Sequence, residues 1–331
     1  MERDEDMAKV AIVGATGLVG STLLNLLEER DINVDEVILL ASARSKGKEI
    51  PFKGETLIVQ ELTEEVAKEG IDYVLMSAGG SISLKFSPIF EKYGSIVIDN
   101  SSAWRMDPEI DLIVPEVNQP SLDRKIIANP NCSTIQSVSP LKILKDAFGL
   151  KRVAYTTYQS VSGSGWAGIE DLERGERGEE PLNYPYPIYN NVLPHIDDFL
   201  ENGYTKEEQK MVDETRKILG DPNLPVTATC VRVPVKSSHS VAMNVTFEKE
   251  PTVEEVKEAF RNKPGILLKD NPDNLEYPTP LDAAGKEGIF VGRIRKDESL
   301  KNTYHIWSVS DNILKGAALN AVQILETLLT K

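Results

Sequence analysis

Val10-Ala-Ile-Val-Gly14-Ala-Thr-Gly17-Leu-Val-Gly20 is the stretch on which the fold turns. A short apolar run ends in glycines three residues apart, and Leu23, Leu26 and Leu27 then recur at helical spacing. The pattern predicts strand, tight turn, helix. A backbone without Cβ atoms can approach a pyrophosphate closely, and the N–H groups of the opening helix face it. The spacing Gly-x-x-Gly-x-x-Gly is not the commoner Gly-x-Gly-x-x-Gly, so a plain strand-to-helix turn would use the same glycines.

The surrounding chain favours the nucleotide reading. Short β-branched runs recur at 10–13, 36–41, 56–59, 73–76, 95–98, 112–114 and 125–128, several of them separated by helical segments. Buried strands alternating with helices predict an α/β, Rossmann-like, doubly wound parallel sheet. The second half differs, with strand-like runs at 152–161, 226–234, 240–247, 289–295 and 303–310 and only one or two helices between them. This predicts an α+β domain with a largely antiparallel sheet. A helix over 205–220 is opened by Thr205 with Glu208 as a capping box and closed by Gly220. Residues 174–194, rich in proline and tyrosine, read as a long ordered excursion, and 312–329 as a final helix.

Composition narrows the function. Among 331 residues, 52 acidic side chains outnumber 37 basic ones, for a net charge of −15. An acidic chain lacks the basic footprint that nucleic acid requires. Two cysteines, Cys132 and Cys230, make no disulfide framework, and no apolar run approaches the roughly 18 residues of a spanning helix. The charged start Met1-Glu-Arg-Asp-Glu-Asp is unlike a signal peptide, and Met7 is an alternative start. A cytoplasmic protein without membrane or nucleic-acid partners is expected.

The second strand chooses the cofactor. An NAD site places a carboxylate there for the ribose 2′-hydroxyl. Here the strand runs into Ala41-Ser42-Ala43-Arg44-Ser45-Lys46, whose guanidinium and hydroxyls suit the 2′-phosphate of NADP. A solvated basic loop would look the same.

Cys132 follows Asn129-Pro-Asn131 and precedes apolar positions at helical spacing, with Pro140 expected to begin a fresh turn. A thiol at a helix start feels the positive end of the dipole, which favours the thiolate. A lone cysteine also packs as a small hydrophobe, but Asn, Ser and Thr neighbours do not make a core. Cys230 alternates within a strand and reads as structural. Of three histidines, His195 and His305 read as structural or surface groups, whereas His239 opens a strand where catalytic groups often sit.

Seven blocks then fall in a familiar order: the turn at 14–20, Ser42-Ala-Arg-Ser45, Ser77-Ala-Gly-Gly80, Asn100-Ser-Ser-Ala-Trp-Arg105, Asn129-Pro-Asn-Cys-Ser-Thr134, Tyr158-Gln-Ser-Val-Ser-Gly163 and Arg232-Val-Pro-Val235. Over essentially its whole length the chain resembles the aspartate-semialdehyde dehydrogenase family. The resemblance implies reversible, NADP-dependent reductive dephosphorylation of L-4-aspartyl phosphate to aspartate semialdehyde and phosphate, toward lysine (through diaminopimelate), methionine and threonine. It implies Cys132 as nucleophile forming an acyl-thioester, His239 as acid/base, and Gln159 orienting the acyl group. Arg232 would clamp the α-carboxylate, Glu214 the amine, and Arg105 with Lys217 the phosphate, with Asn131 also in the substrate site. Gly14, Thr16, Gly17, Leu18, Val19, Arg44, Ser45, Ser162, Gly163 and Asn312 would contact the cofactor, and no metal is called for. The implied domains are 1–131 with 312–331 for NADP, and 132–311 for catalysis and dimerisation. The excursion and the antiparallel sheet would build a homodimer, with a tetramer as the larger alternative. Ser238 stands where the family commonly has glycine, at a cost of about 1 kcal/mol if φ is positive there.

Sister acyl reductases acting on N-acetyl-γ-glutamyl phosphate or CoA thioesters share the turn and the cysteine, as would a redox sensor that kept the fold without turnover. A carboxylate and an arginine at the far end favour a free amino acid over a blocked one.

Overall fold

The computed structural model describes residues 8–330, so the reading of Met7 as a start falls outside the described residues. These residues divide into two compact units: 8–115, 119–130 and 317–330 form the first, and 116–118 with 131–316 the second.

In the first unit, Ala8–Val13 (β1) leads through the glycine turn into Leu18–Glu29 (α1), then Val34–Ala41 (β2). Gly14 has φ +82°, and a Cβ there would lie 2.3 Å from the Ser77 carbonyl oxygen. Only glycine fits both conditions. Glu49–Phe52 (β3) and Glu55–Ile58 (β4) make a separate antiparallel hairpin, so the run at 56–59 leaves the main alternation. Its exposed Glu49, Glu55 and Thr56 explain why it is not buried between helices. Gln60–Glu61 (β5), Tyr73–Met76 (β6), Gly80–Lys92 (α2), Ile96–Asp99 (β7), Asp111–Leu112 (β8) and Ile126–Ala128 (β9) complete the sheet region. The sheet order is β5-β2-β1-β6-β7-β9-β8, with every neighbouring pair parallel. β1 has β2 on one side and β6 on the other, so the chain reverses its winding there. Ligands of such sheets bind outside the carboxyl ends at that switch point, where Gly14 stands.

The second unit opens with Cys132–Phe148 (α3), a single helix through Pro140. The expected fresh turn does not form, because the Gln136 carbonyl that proline cannot bond accepts instead from Ser308 Oγ at 3.2 Å. There follow Leu150–Gln159 (β10), Gly165–Glu176 (α4), Lys206–Ile218 (α5), Val226–Arg232 (β11), His239–Phe247 (β12), Val253–Phe260 (α6), Ile266–Leu268 (β13), Pro280–Ala283 (α7), Ile289–Lys296 (β14) and Thr303–Ser310 (β15). The strands lie in the order β11-β10-β12-β15-β14-β13. The inner pairings are antiparallel, while β11 and β13 join the edges in parallel. Four helices, not one or two, interrupt these strands. α4 carries three glycines and α7 is four residues long, which masks both in the sequence pattern.

α3 packs on β10, β12 and β15. The alternate residues of those strands, among them Tyr158, Asn244, His305 and Trp307, are partly or fully exposed. The Tyr158 and Trp307 rings lie 5.5 Å apart there. The 174–194 excursion is ordered because the buried Asp171 carboxylate accepts the backbone N–H groups of Leu182, Asn183 and Tyr184 at 2.9, 2.8 and 2.7 Å.

The last helix starts later than expected. Asp311 Oδ1 caps the N–H groups of Ile313 and Leu314, a π-turn spans Leu314–Ala318, and only then does Leu319–Leu329 (α8) run as an α-helix. α8 closes the first unit, where Glu326 meets the Arg30 guanidinium at 2.9 and 3.0 Å. No described helix is long and apolar enough to cross a membrane.

Candidate active site

One end of the second unit's sheet collects the candidate groups, and the strand directions are the reason. β10 and β11 run parallel and finish side by side, with Gln159 opposite Arg232. β12 runs the other way and starts at that end with His239, which pairs with Ser310 at the end of β15. Gln159, Arg232, His239 and Asn312, scattered over 153 positions of sequence, therefore share one rim.

Cys132 is the first residue of α3 and half-buried. Asn131 caps that helix, its Oδ1 accepting from the N–H groups of Ser133 and Thr134 at 3.0 and 3.3 Å. Two carboxylates of α5 hold Asn131 in turn. Glu207 Oε1 accepts from Asn131 Nδ2 at 2.8 Å and from Gln159 Nε2 at 3.0 Å; Glu214 Oε2 accepts from the Asn131 N–H at 2.7 Å. Lys210 Nζ reaches Glu207 Oε2 at 3.1 Å and Asp197 at 2.8 Å. Burial pushes the Glu207 carboxyl up, but Lys210 and the Gln159 and Asn131 amides outweigh it and hold the group down at about 2. Glu207 is thus a buried anion that joins the side chain of Asn131, the residue before the cysteine, to that of Gln159. The amide oxygen of Gln159 is engaged as well, Oε1 accepting from Thr157 Oγ1 at 2.9 Å.

From sequence the helix's acid–base pair is expected at Glu214 and Lys217; in the structure Glu207 and Lys210 form an ion pair, and Glu207 bonds the Asn131 and Gln159 side chains. α5 carries Glu-x-x-Lys twice, seven residues apart and so on one face. Periodicity cannot say which turn meets the cysteine. The structure brings both carboxylates to Asn131: Glu207 bonds its side chain and that of Gln159, and Glu214 accepts from its backbone N–H. Lys217 lies two turns, about 10 Å along the axis, beyond Lys210.

His239 and Arg232 are buried. Ser160 donates its N–H to His239 Nδ1 at 3.0 Å, and its carbonyl accepts from Arg232 Nη1 at 2.8 Å. Burial first, and the Arg232 guanidinium second, hold the imidazole down to about 3, so it is neutral. Asn312 Oδ1 accepts from Ser160 Oγ, Ser162 Oγ and the Ser238 N–H at 3.0, 3.1 and 3.0 Å. A Cβ on Gly163 would stand 2.7 Å from Arg232 Nη1 and 3.2 Å from His239 Nε2, so this glycine roofs both. Gly316 likewise meets the cysteine, where a Cβ would fall 2.9 Å from Cys132 Cβ. Among the described residues, Arg232 Nε, His239 Nε2 and Ser238 Oγ are buried without a hydrogen-bond partner. Cys230 is buried within β11, where burial pushes its thiol up. His195 stacks on Phe199, and His305 stands 3.4 Å from Asp297.

The first unit holds the remaining candidates. Gly17 is the N-cap of α1, and Leu18 and Val19 begin the helix, whose first N–H groups have no partner within it. A Cβ on Gly20 would lie 2.1 Å from the Gly14 carbonyl oxygen, so the turn admits no bulk. Thr16 Oγ1 and Ser45 Oγ lie 3.4 Å apart, and Arg44 is exposed in the turn after β2. A glycine cradle at a helix start, with no carboxylate ending β2, fits a dinucleotide carrying a 2′-phosphate. Arg105 is buried, with Nε and Nη2 on the carbonyls of Asn129 and Asn100 at 2.9 and 3.0 Å.

Known proteins match nearly the whole chain. The family description "Semialdehyde dehydrogenase, NAD binding domain" matches residues 9–125, and "Semialdehyde dehydrogenase, dimerisation domain" matches 141–315. The aspartate-semialdehyde dehydrogenase of Aquifex aeolicus is 52% identical, over 97% of each chain. The crystal structure of aspartate-semialdehyde dehydrogenase II from Vibrio cholerae complexed with ASA superposes with a TM-score of 0.94 at 45% identity, covering 99% of each chain. An aspartate-semialdehyde dehydrogenase with NADP from Candida albicans gives a TM-score of 0.78 at 27% identity, over 97% of this chain and 98% of that one. The chain belongs to the aspartate-semialdehyde dehydrogenase family.

Proposed function

We propose that the protein interconverts L-4-aspartyl phosphate and L-aspartate 4-semialdehyde with NADP, in the biosynthesis of lysine, methionine and threonine, as a cytoplasmic homodimer. The observation that carries this reading is the Glu207 carboxylate, bonded at once to Asn131 beside the cysteine and to Gln159.

Cys132, at the positive end of α3, attacks the acyl carbon and forms a thioester. Gln159 orients the acyl group, with its amide fixed by Thr157 and Glu207. Arg232 clamps the α-carboxylate, since its Nε is buried and a bidentate partner would satisfy it. Glu207 takes the ammonium and Lys210 the phosphate, replacing Glu214 and Lys217 in those roles. Glu214 holds the Asn131 peptide instead. Arg105 is the phosphate ligand proposed in the first unit. His239 manages charge and protons at the reacting carbonyl. NADPH, when bound, supplies the hydride that reduces the thioester. Gly14, Thr16, Gly17, Leu18, Val19, Arg44 and Ser45 of the first unit, and Ser162, Gly163 and Asn312 of the second, are its proposed contacts.

Dimerisation is proposed through the half-exposed face of the second unit's sheet and the excursion, where Leu182 and Tyr186 are each 65% exposed. Apolar side chains open to this degree on an ordered segment suit an interface.

The substrate assignment is tested by comparing aspartate semialdehyde with its N-acetyl derivative. A site built on the Glu207 anion disfavours the blocked amine by on the order of 10⁴ in kcat/KM. Equal rates would move the protein to the sister reductases.

A further inference from the structure

We propose that Glu208 is the positioning residue that sets the register of α5 on β11, and so holds the Glu207 anion at the distance from Arg232 that an α-amino acid spans. This rests on the functional reading above.

What singles out Glu207 over Glu214 cannot come from α5 itself, whose two Glu-x-x-Lys repeats are equivalent along the helix. It needs a contact that fixes which turn docks, and β11 supplies one. This strand pairs only with β10, so it is an edge of the sheet and every second N–H faces away. Arg232 donates its N–H to the Leu193 carbonyl at 2.8 Å. Two residues earlier, the Cys230 N–H goes to Glu208 Oε1 at 3.0 Å, a side chain of α5 in place of a further strand. Glu208 and Cys230 are both buried, so losing this bond leaves an unpaired N–H in the interior. The other oxygen of Glu208, Oε2, accepts from the Thr205 N–H at 2.8 Å. One carboxylate therefore bridges the start of α5 to the edge strand.

The bridge ties neighbours to neighbours. Glu207 precedes Glu208 by one residue, and Arg232 follows Cys230 by two. The anion proposed for the ammonium and the guanidinium proposed for the carboxylate thus stand beside the two ends of a single hydrogen bond. In the substrate those two groups sit on one carbon, so the spacing of their partners sets the specificity. Asn131 and Gln159 depend on the bridge less, because each has a second hold: Glu214 accepts from the Asn131 N–H, and Gln159 accepts from Thr157. Slippage of α5 falls on the ammonium.

The test compares kcat/KM for aspartate semialdehyde and for succinic semialdehyde, which lacks only the α-ammonium, in the full-length enzyme at one concentration of NADP and of phosphate. Those two reactants are common to both assays, so the ratio cancels any change at their sites. Wild type should prefer the amino substrate by about 10²-fold or more. Glu208→Ala should cut that ratio by about tenfold or more, through loss with the amino substrate alone. Glu208→Gln keeps the volume but turns an amide nitrogen toward one of the two N–H donors, and should cut the ratio in the same direction. Thr205→Ala removes the hydroxyl cap yet keeps the N–H at 205 and the Cys230 bond. It should lower Tm but leave the ratio within about twofold of wild type. Equal losses with both aldehydes in the Glu208 variants would make Glu208 a structural cap only and overturn the proposal. So would a ratio that falls as far in Thr205→Ala as in Glu208→Ala. A wild type with no preference for the amino substrate would instead refute the functional reading, and the proposal with it.

Discussion

Ser238 is a buried residue held at φ +72°, a conformation that L side chains adopt at a cost of about 1–2 kcal/mol. Its hydroxyl has no partner among the described residues to offset that strain. Ser238→Gly should therefore stabilise the protein, by about 1 kcal/mol after the extra freedom of unfolded glycine, or roughly 1–2 °C in calorimetric Tm. A drop in Tm would mean that the hydroxyl holds something in place. At Glu207, replacement by Gln should cost about 10²-fold in kcat/KM by removing the anion that faces the ammonium, and Lys217→Ala should change it less than twofold. The reverse ranking in steady-state kinetics would restore the 214/217 pair. The two buried titratable groups also set an acid limit. His239 titrates near 6.5 when unfolded but about 3 when folded, so the unfolded chain takes the proton first, and stability falls as pH drops from about 6.5 to 3. Glu207, about 2 when folded against 4.5 in its ordinary state, adds a loss between those values in the same direction. Urea unfolding of His239→Gln should accordingly depend less on pH between about 5 and 6.5 than wild type does. Of the proposed site residues, Cys132, His239, Gln159 and Arg232 each stand in a distinctive local motif, and the structure gathers the last three at one end of the sheet. Glu207 was not legible, because its Glu-x-x-Lys is repeated seven residues later and only the tertiary docking of α5 distinguishes the two.

At the scale of elements, the glycines decide what can approach what. The π-turn at Leu314–Ala318 brings the Gly316 backbone against the start of α3, and Gly316→Ala would push its Cβ to 2.9 Å from that of Cys132. The cysteine's acylation should slow by at least about tenfold, with an overpacking cost of about 1–3 kcal/mol. Unchanged phosphate release in a single turnover would mean that the turn is free to shift. The capping box of α5 was readable in sequence, made as expected by Thr205 and Glu208. What was not readable were compensations made at a distance. Ser308 lets α3 run through Pro140, and Asp311 delays the last helix so that Asn312 joins the network around His239.

For the molecule as a whole, the alternation of strands and helices announced the parallel sheet, and the later run of strands the mixed one. One edge of each sheet was obscure because it is short: β5 has two residues and β13 three, too few for any period. The excursion's exposed side chains predict the assembly. Leu182→Asp combined with Tyr186→Asp should convert a dimer to a monomer in sedimentation, and an unmoved dimer would place the interface elsewhere. The central claim, acyl transfer through Cys132, is tested most directly by following NADPH formation from aspartate semialdehyde with phosphate present and absent, in wild type and in Cys132→Ala. A signal is expected only when aldehyde, NADP and phosphate are all present, and none in Cys132→Ala. A signal that persists in that variant, or that needs no phosphate, would contradict it.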